Sequence, residues 1–218
     1  MYSRQLAAPM QFRLTEAGRP TASVKNLGGL LAAQPVETFE AGQTVFWEGD
    51  NAAHVFEIAE GCLRLCRILP DGRRAVVGFS FGGEMLGASS PRSYLYTAEA
   101  VTKVRLRRLG RTRFHAALDE MPELRPHLFA CVCEEMRAAH QHMVLLGQLG
   151  AEERVVSFLL SAARRTRADR KRPITIELPM SRLDIADYLG LTIETVCRTI
   201  SKLKRDGLIA LKGRHAVV

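Results

Sequence analysis

The chain has 218 residues, 47% of them hydrophobic and 25% charged, which is enough apolar material for one large domain or two small ones and excludes a disordered chain. The formal net charge is +8, and residues 151–218 carry 14 Lys+Arg against 8 Asp+Glu. A basic module joined to a near-neutral one points to a polyanion partner, nucleic acid ahead of an anionic membrane surface.

Residues 1–23 show no periodicity and read as a loose arm. They contain no apolar core of a secretion signal, and no run of about 18 apolar residues follows anywhere, so no spanning helix is expected. Short apolar or alternating segments come next: Val45–Trp47, Val55–Ile58, Leu63–Leu65 and Val76–Phe79. In Val101–Leu109, Val101, Val104 and Leu106 are spaced by Lys103, Arg105 and Arg107. Glycines separate these segments, with Gly49-Asp50 and Asp71-Gly72 as turn dipeptides. The pattern predicts a small antiparallel barrel or roll, closed by a short helix over 111–120, so that this module spans 24–121.

The period then changes. A long helix is predicted within 122–150, where Pro126 is tolerated in the first turn. Phe129, Val132, Met136, Ala139, Met143 and Leu146 recur at spacings of 3, 4, 3, 4 and 3, an a/d seam three heptads long. Leu128, Cys133, Val144 and Leu145 form a second apolar stripe. Packing on its own domain accounts for one stripe; two stripes predict the roll on one side and a twin helix, hence a homodimer, on the other.

A helix over 152–166 follows, with Arg164, Arg165 and Arg167 in the last turn, where cations suit the helix dipole. Residues 168–173 are a charged loop and 174–178 a strand. Then comes SRLDIADYLGLTIETVCRTISKL, from Ser181 to Leu203. Ser181 caps a short helix with Ile185, Ala186 and Leu189 on one face. Gly190 breaks it, free to take positive φ. Thr192 caps a second helix in which Ile193, Val196, Ile200 and Leu203 face inward. Helix, glycine turn and helix form a helix-turn-helix within a module spanning 151–218.

The outer face of the second helix shows Glu194, Cys197, Arg198, Ser201 and Lys202. Glu194 can accept from a cytosine amino group, and Arg198 can donate twice to guanine. The alternative is a solvated face with an i,i+4 Glu–Arg pair. Arg182, Thr192, Thr195 and Ser181 are placed for phosphates, which fix register without reading sequence. Gly207-Leu208-Ile209 and Gly213-Arg214 suggest two short wing strands, with Lys212 and Arg214 at their tip as further phosphate contacts.

The five cysteines are odd in number and lack a disulfide framework, which fits free thiols in a reducing cytoplasm. Cys62 and Cys66 share a strand face about 13 Å apart, and Cys131 and Cys133 diverge on a helix, so no metal site is expected. No nucleophilic, paired-carboxylate or phosphate-loop motif argues for an enzyme. Cys197 lies on the DNA-facing side beside Arg198, where oxidation would set bulk or negative charge against the phosphates. It is a candidate redox switch, or a small spacer equivalent to serine.

The order roll, long helix, AEERVVSFLL, LPMSRLDIADYLGLTIETVCRTI and GLIALKGR resembles the Crp–Fnr superfamily of bacterial transcription regulators over about Val36 to Arg214, closest to its FixK-like branch. The resemblance implies an α+β fold: an N-terminal double-stranded β-helix or jelly-roll sensor domain, a dimerisation helix and a C-terminal winged helix-turn-helix. It implies a homodimer that activates genes of low-oxygen respiration, denitrification or nitrogen fixation by contacting RNA polymerase. The sites are near-palindromes with TTG…CAA ends. By motif match Glu194 and Arg198 read bases, with Ile193 and Cys197 beside them.

Two sensors of that family lack their residues here. The iron–sulfur regulator uses a cysteine cluster near its N-terminus, and residues 1–61 hold no cysteine. The cyclic-AMP receptor uses a glutamate after a Gly-x-x-x-Gly turn and a downstream Arg-Ser pair. Here Ala88 follows Gly83–Gly87, and Tyr94 and Leu95 fall where that pair aligns. DNA binding without cofactor or cyclic nucleotide is therefore expected. The rival readings are a metabolite-responsive regulator and a repressor.

Overall fold

A computed structural model describes residues 27–90, 92–165 and 175–210, and the backbone of 211, 212 and 215–217. The N-terminal arm, the charged loop 168–173 and Arg214 lie outside the described residues.

A short helix, α1 (Leu27–Ala32), precedes eight strands: β1 (Val36–Phe39), β2 (Thr44–Phe46), β3 (His54–Glu60), β4 (Cys62–Ile68), β5 (Arg74–Phe81), β6 (Met85–Leu86), β7 (Thr97–Ala100) and β8 (Val104–Gly110). They form two four-stranded sheets, β1-β8-β3-β6 and β2-β7-β4-β5, in which the pairings are antiparallel. This is the expected roll. Ile58, Leu63, Val104 and Leu106 fill its core, and Phe46 stacks on Phe56 and Tyr94 with ring centroids 5.3 and 4.0 Å away. Gly61 makes the β3–β4 turn at φ 98°, and a Cβ there would lie 2.4 Å from the Lys103 carbonyl oxygen, so only glycine fits.

Helices α2 (Arg111–Glu120) and α3 (Arg125–Gln148) follow. None of the 24 residues of α3 is buried. Leu128 and Cys131 lean on the cluster around Phe114 and Leu124, and Leu145 leans on the C-terminal core. Val144 departs from the expectation: it is 58% exposed and belongs to the uncovered side, not to a second packed stripe. The covered stripe is Leu128, Cys131 and Leu145, because only the two ends of α3 meet neighbouring elements through apolar side chains.

The C-terminal part comprises α4 (Ala151–Arg165), β9 (Thr175–Glu177), α5 (Arg182–Leu189), α6 (Ile193–Arg205), β10 (Ala210–Lys212) and β11 (His215–Val217), with sheet order β10-β11-β9. Helix α4 opens on Glu152 and Glu153 and closes on Arg164 and Arg165, matching the helix dipole. Val155, Phe158, Ile176, Ile185, Leu189, Val196 and Ile200 form the core of a winged helix-turn-helix. That core continues into the roll, since Cys62, Cys66, Val76 and Phe79 of β4 and β5 belong to the same buried cluster. The Phe79 ring lies 6.4 Å from Phe158 and 5.6 Å from Tyr188, contacts worth about 0.5–1.5 kcal/mol each beyond burial. The headpiece is thus docked on its own roll.

Candidate nucleic-acid interface

Each helix of the helix-turn-helix begins with a side-chain cap. The Ser181 hydroxyl accepts from the Asp184 amide, and the Asp184 carboxylate accepts from the Ser181 amide, a complete capping box. Gly190 ends α5 in the left-handed region (φ 61°, ψ 40°). A Cβ at Gly190 would meet Leu146 at 3.4 Å and Arg154 at 3.5 Å, so the turn nests against α3 and α4. Thr192 caps α6 by accepting from the Thr195 amide at 3.3 Å.

Val196, Thr199, Ile200 and Leu203 anchor the inner side of α6. Ile193 was expected to face inward with them, but it is 38% exposed. It opens the helix outside the buried cluster, which on this helix begins at Val196. Ile193 therefore joins Glu194, Cys197, Arg198 and Ser201 on the outward side, all of them exposed. The backbone amide of Glu194 and the Thr192 hydroxyl bond the Glu194 carboxylate, and they hold it below the usual carboxylate range. An ionised Glu194 can only accept hydrogen bonds, which suits an amino group. Arg198 Nη2 reaches Thr195 Oγ1 at 3.5 Å, and its remaining donors are open to a ligand.

The expected phosphate contacts divide. Thr192 is exposed, and Arg182 and Thr195 are half-buried beside it on the same motif. Ser181 is a correction: its hydroxyl accepts from Asp184 N and donates to Asp184 Oδ2 at 2.7 Å, and its amide also bonds Asp184. The cap consumes its donors and leaves none for a phosphate. The Lys212 backbone lies in β10, whereas the Lys212 side chain and Arg214 lie outside the described residues. Lys202 is held by Glu152 of α4, 2.8 Å from each carboxylate oxygen, and this pair raises its already high pKa.

Several residues that shape this surface carry no signal of their own in the sequence. Arg154 donates to three carbonyls: Leu149 from Nε, Leu189 from Nη1 and Leu146 from Nη2, at 2.9, 3.0 and 2.8 Å. His142 stacks on Tyr188 at 4.2 Å between centroids, with Nε2 2.7 Å from the Tyr188 carbonyl oxygen. Arg64 and Arg74 of the roll pair with Asp184. Ser181 reads as a cap from its type alone, and Asp184, three residues on, completes the box only in the structure.

Burial pushes the Cys62 thiol up to about 12 and raises Cys66 and Cys131 as well, whereas Cys197 is exposed. Among the described residues no group of three or more His, Cys, Asp or Glu could hold a metal ion. In the loop before β7, Tyr94 lies inside the roll. An Arg-Ser pair stands two residues upstream, at Arg92-Ser93. Arg92 is exposed, its carbonyl accepts from Ala52 N at 2.9 Å, and Ser93 bridges to Asn51.

The model of the cyclic nucleotide-binding domain matches residues 36–121 and that of the Crp-like helix-turn-helix domain matches 153–218. The chain is 42% identical over 173 residues to the nitrogen fixation regulation protein FixK of Bradyrhizobium diazoefficiens, across 79% of this chain and 73% of that one. This chain belongs to the Crp–Fnr family. Another Crp–Fnr relative, FixK of Rhizobium meliloti, is 35% identical across all of this chain and 94% of its own length. The transcriptional activator protein FnrL of Cereibacter sphaeroides is 38% identical, across 83% and 75%. The solved structure of FixK2 from Bradyrhizobium japonicum superposes with a TM-score of 0.79 at 34% identity, covering 85% of this chain and 92% of that one. As a Crp–Fnr protein the chain is a DNA-binding transcription activator, and its winged helix-turn-helix is the DNA-binding unit. No helix among its described residues is long and apolar enough to cross a membrane.

Proposed function

We propose that this Crp–Fnr protein binds near-palindromic DNA with TTG…CAA ends as a homodimer. It activates genes of low-oxygen respiration or nitrogen fixation by contacting RNA polymerase. The outward face of α6 carries this reading: Glu194 and Arg198 stand one turn apart, exposed, on a helix anchored from behind by Val196, Ile200 and Leu203. A carboxylate that accepts from cytosine and a guanidinium that donates to guanine match the G·C pair of TTG and CAA. Ile193 and Cys197 flank them, and Ile193 offers an apolar contact for a thymine methyl. Arg182, Thr192, Thr195, Lys212 and Arg214 hold phosphates and set the register.

The homodimer rests on the uncovered seam of α3. Phe129, Val132, Met136, Met143 and Leu146 are 36–71% exposed, with Ala139 in line. Pairing these seams sets the two α6 helices about 34 Å apart, one DNA turn. DNA binding needs no small effector, because Phe46, Phe56 and Tyr94 occupy the roll interior. Oxidation of the exposed Cys197 switches it off, since an oxidised sulfur beside Arg198 opposes the phosphates.

Binding across a set of half-site variants tests the base-reading assignment. Glu194→Ala and Arg198→Ala should each lose about 1–3 kcal/mol of preference at the G·C pair, while Arg182→Ala weakens cognate and random duplexes alike. Equal losses on both duplexes for all three variants would sink it.

A further inference from the structure

The docking of headpiece on roll is ionic at its centre, and one carboxylate does two jobs there. Asp184 Oδ2 caps α5, accepting from the Ser181 amide at 3.1 Å and its hydroxyl at 2.7 Å. Asp184 Oδ1 faces the roll and accepts from Arg64 Nη1 at 2.8 Å and Arg74 Nη2 at 2.9 Å. Its side chain is 4% exposed. One turn along α5, Asp187 Oδ2 accepts from Arg74 Nη2 at 2.7 Å and Nε at 3.2 Å. Arg64 is braced on its own sheet by Glu99. Apolar contacts flank the network, Phe79 against Phe158 and Tyr188, and at the far edge Arg165 of α4 lies over the Phe81 ring and pairs with Glu84.

We propose that Arg64 and Arg74 are positioning residues for DNA recognition: gripping Asp184 and Asp187, they fix the headpiece on the roll in its DNA-binding orientation. This rests on the DNA-binding reading above and adds to it a part of the roll that touches no DNA. Helix α5 carries α6 through the tight Gly190 turn, so an α5 that cannot tilt is an α6 that cannot turn. Docking leaves the outward face of α6 exposed at Glu194, Cys197 and Arg198, and the α3 seam with it. The Asp184 carboxyl agrees with this. Burial pushes its pKa up, but the Ser181 bonds and the charges of Arg64 and Arg74 outweigh burial and hold it below the usual range.

Asp187 lies outside the capping box, so it can be altered without uncapping α5. The experiment compares wild type, Arg74→Asp, Asp187→Arg, the Arg74→Asp/Asp187→Arg exchange and the milder Asp187→Asn in the full chain. Amide hydrogen exchange over β4, β5 and α5 is followed without DNA, and binding is measured on a TTG…CAA duplex and on a random one. Each charge-reversal variant should exchange faster over α5 and β5 and bind the TTG…CAA duplex at least about tenfold more weakly, with random binding unchanged within about twofold. The exchanged pair should recover both within about threefold, and Asp187→Asn should lose about threefold. Unchanged protection and affinity in the single variants overturns the proposal. So does tighter binding, which would make the grip inhibitory, or an exchanged pair no better than either single variant. Wild type that fails to prefer TTG…CAA over random DNA would refute the site reading instead, and amide exchange would still decide whether the two pairs hold the headpiece.

Discussion

Met143→Glu tests the dimer seam. Met143 is 65% exposed in the single chain. Complete burial of a methionine stabilises by about 1.5–3 kcal/mol, so covering the exposed share in two copies contributes about 2–4 kcal/mol per dimer. Losing that alone weakens dimerisation about 30- to 700-fold, and two carboxylates set face to face without partners weaken it further. Sedimentation velocity across a concentration series reads the dissociation constant directly. The control is Gln141→Glu, the same added charge at an exposed position on α3 outside the seam. The variant should become monomeric at concentrations where wild type and Gln141→Glu are dimers, and should lose cognate DNA binding in parallel. If Met143→Glu stays dimeric with unchanged DNA affinity, the protein does not dimerise through this face.

Three further outcomes are expected. Peroxide should abolish cognate binding by wild type and spare Cys197→Ser; equal sensitivity of the two, or equal resistance, removes Cys197 as a switch. Cyclic AMP should neither raise the melting temperature nor strengthen DNA binding, and a nucleotide-dependent gain in affinity would show that the aromatic filling of the roll yields to a ligand. Asp184→Asn should cost about 1–3 kcal/mol of stability at pH 7, since Arg64 and Arg74 keep Glu99 and Asp187 as partners. Because the folded Asp184 pKa lies below the ordinary value, the gap between wild type and variant should hold from neutrality down to about pH 4 and close only below it. A gap that closes between pH 7 and 5 in chemical denaturation would contradict the ionised, gripped carboxylate.

Features governed by local chemistry could be read from the residues alone. Helix α2 spans Arg111–Glu120 as expected, and Ser181, Gly190 and Thr192 do in three dimensions what their types suggest in a string. The outward face of α6 followed from period, although Ile193 needed the structure, because periodicity cannot tell where along a helix its neighbours begin. Features that depend on distant partners were not legible. Helix α1 was missed because Gly28-Gly29 looks like a turn; burial of Leu27 and Leu31 against the roll decides otherwise. Strands β6 and β7 are too short, and β7 (Thr97, Glu99) too polar, for alternation to register. The Arg64–Asp184 pair joins residues 120 positions apart, and no local pattern encodes such a partnership.

The guanidinium of Arg154 has a mechanical consequence. Its three acceptors are neutral carbonyls at the ends of α3 and α5, where both helix dipoles are negative, so it welds the base of the headpiece to the stem. Among the described residues no acidic side chain takes part, and its strength should vary little with pH. The ion pairs at the roll and this weld therefore fail under different conditions. Acid strong enough to protonate Asp184 loosens the first and spares the second. Where the ion pairs give way, the Arg154 bonds still tie the base of the headpiece to the end of α3, beside Gly190. In the proposed dimer, that tether limits how far the two headpieces can part, and so lowers the entropy lost when both half-sites are held at once.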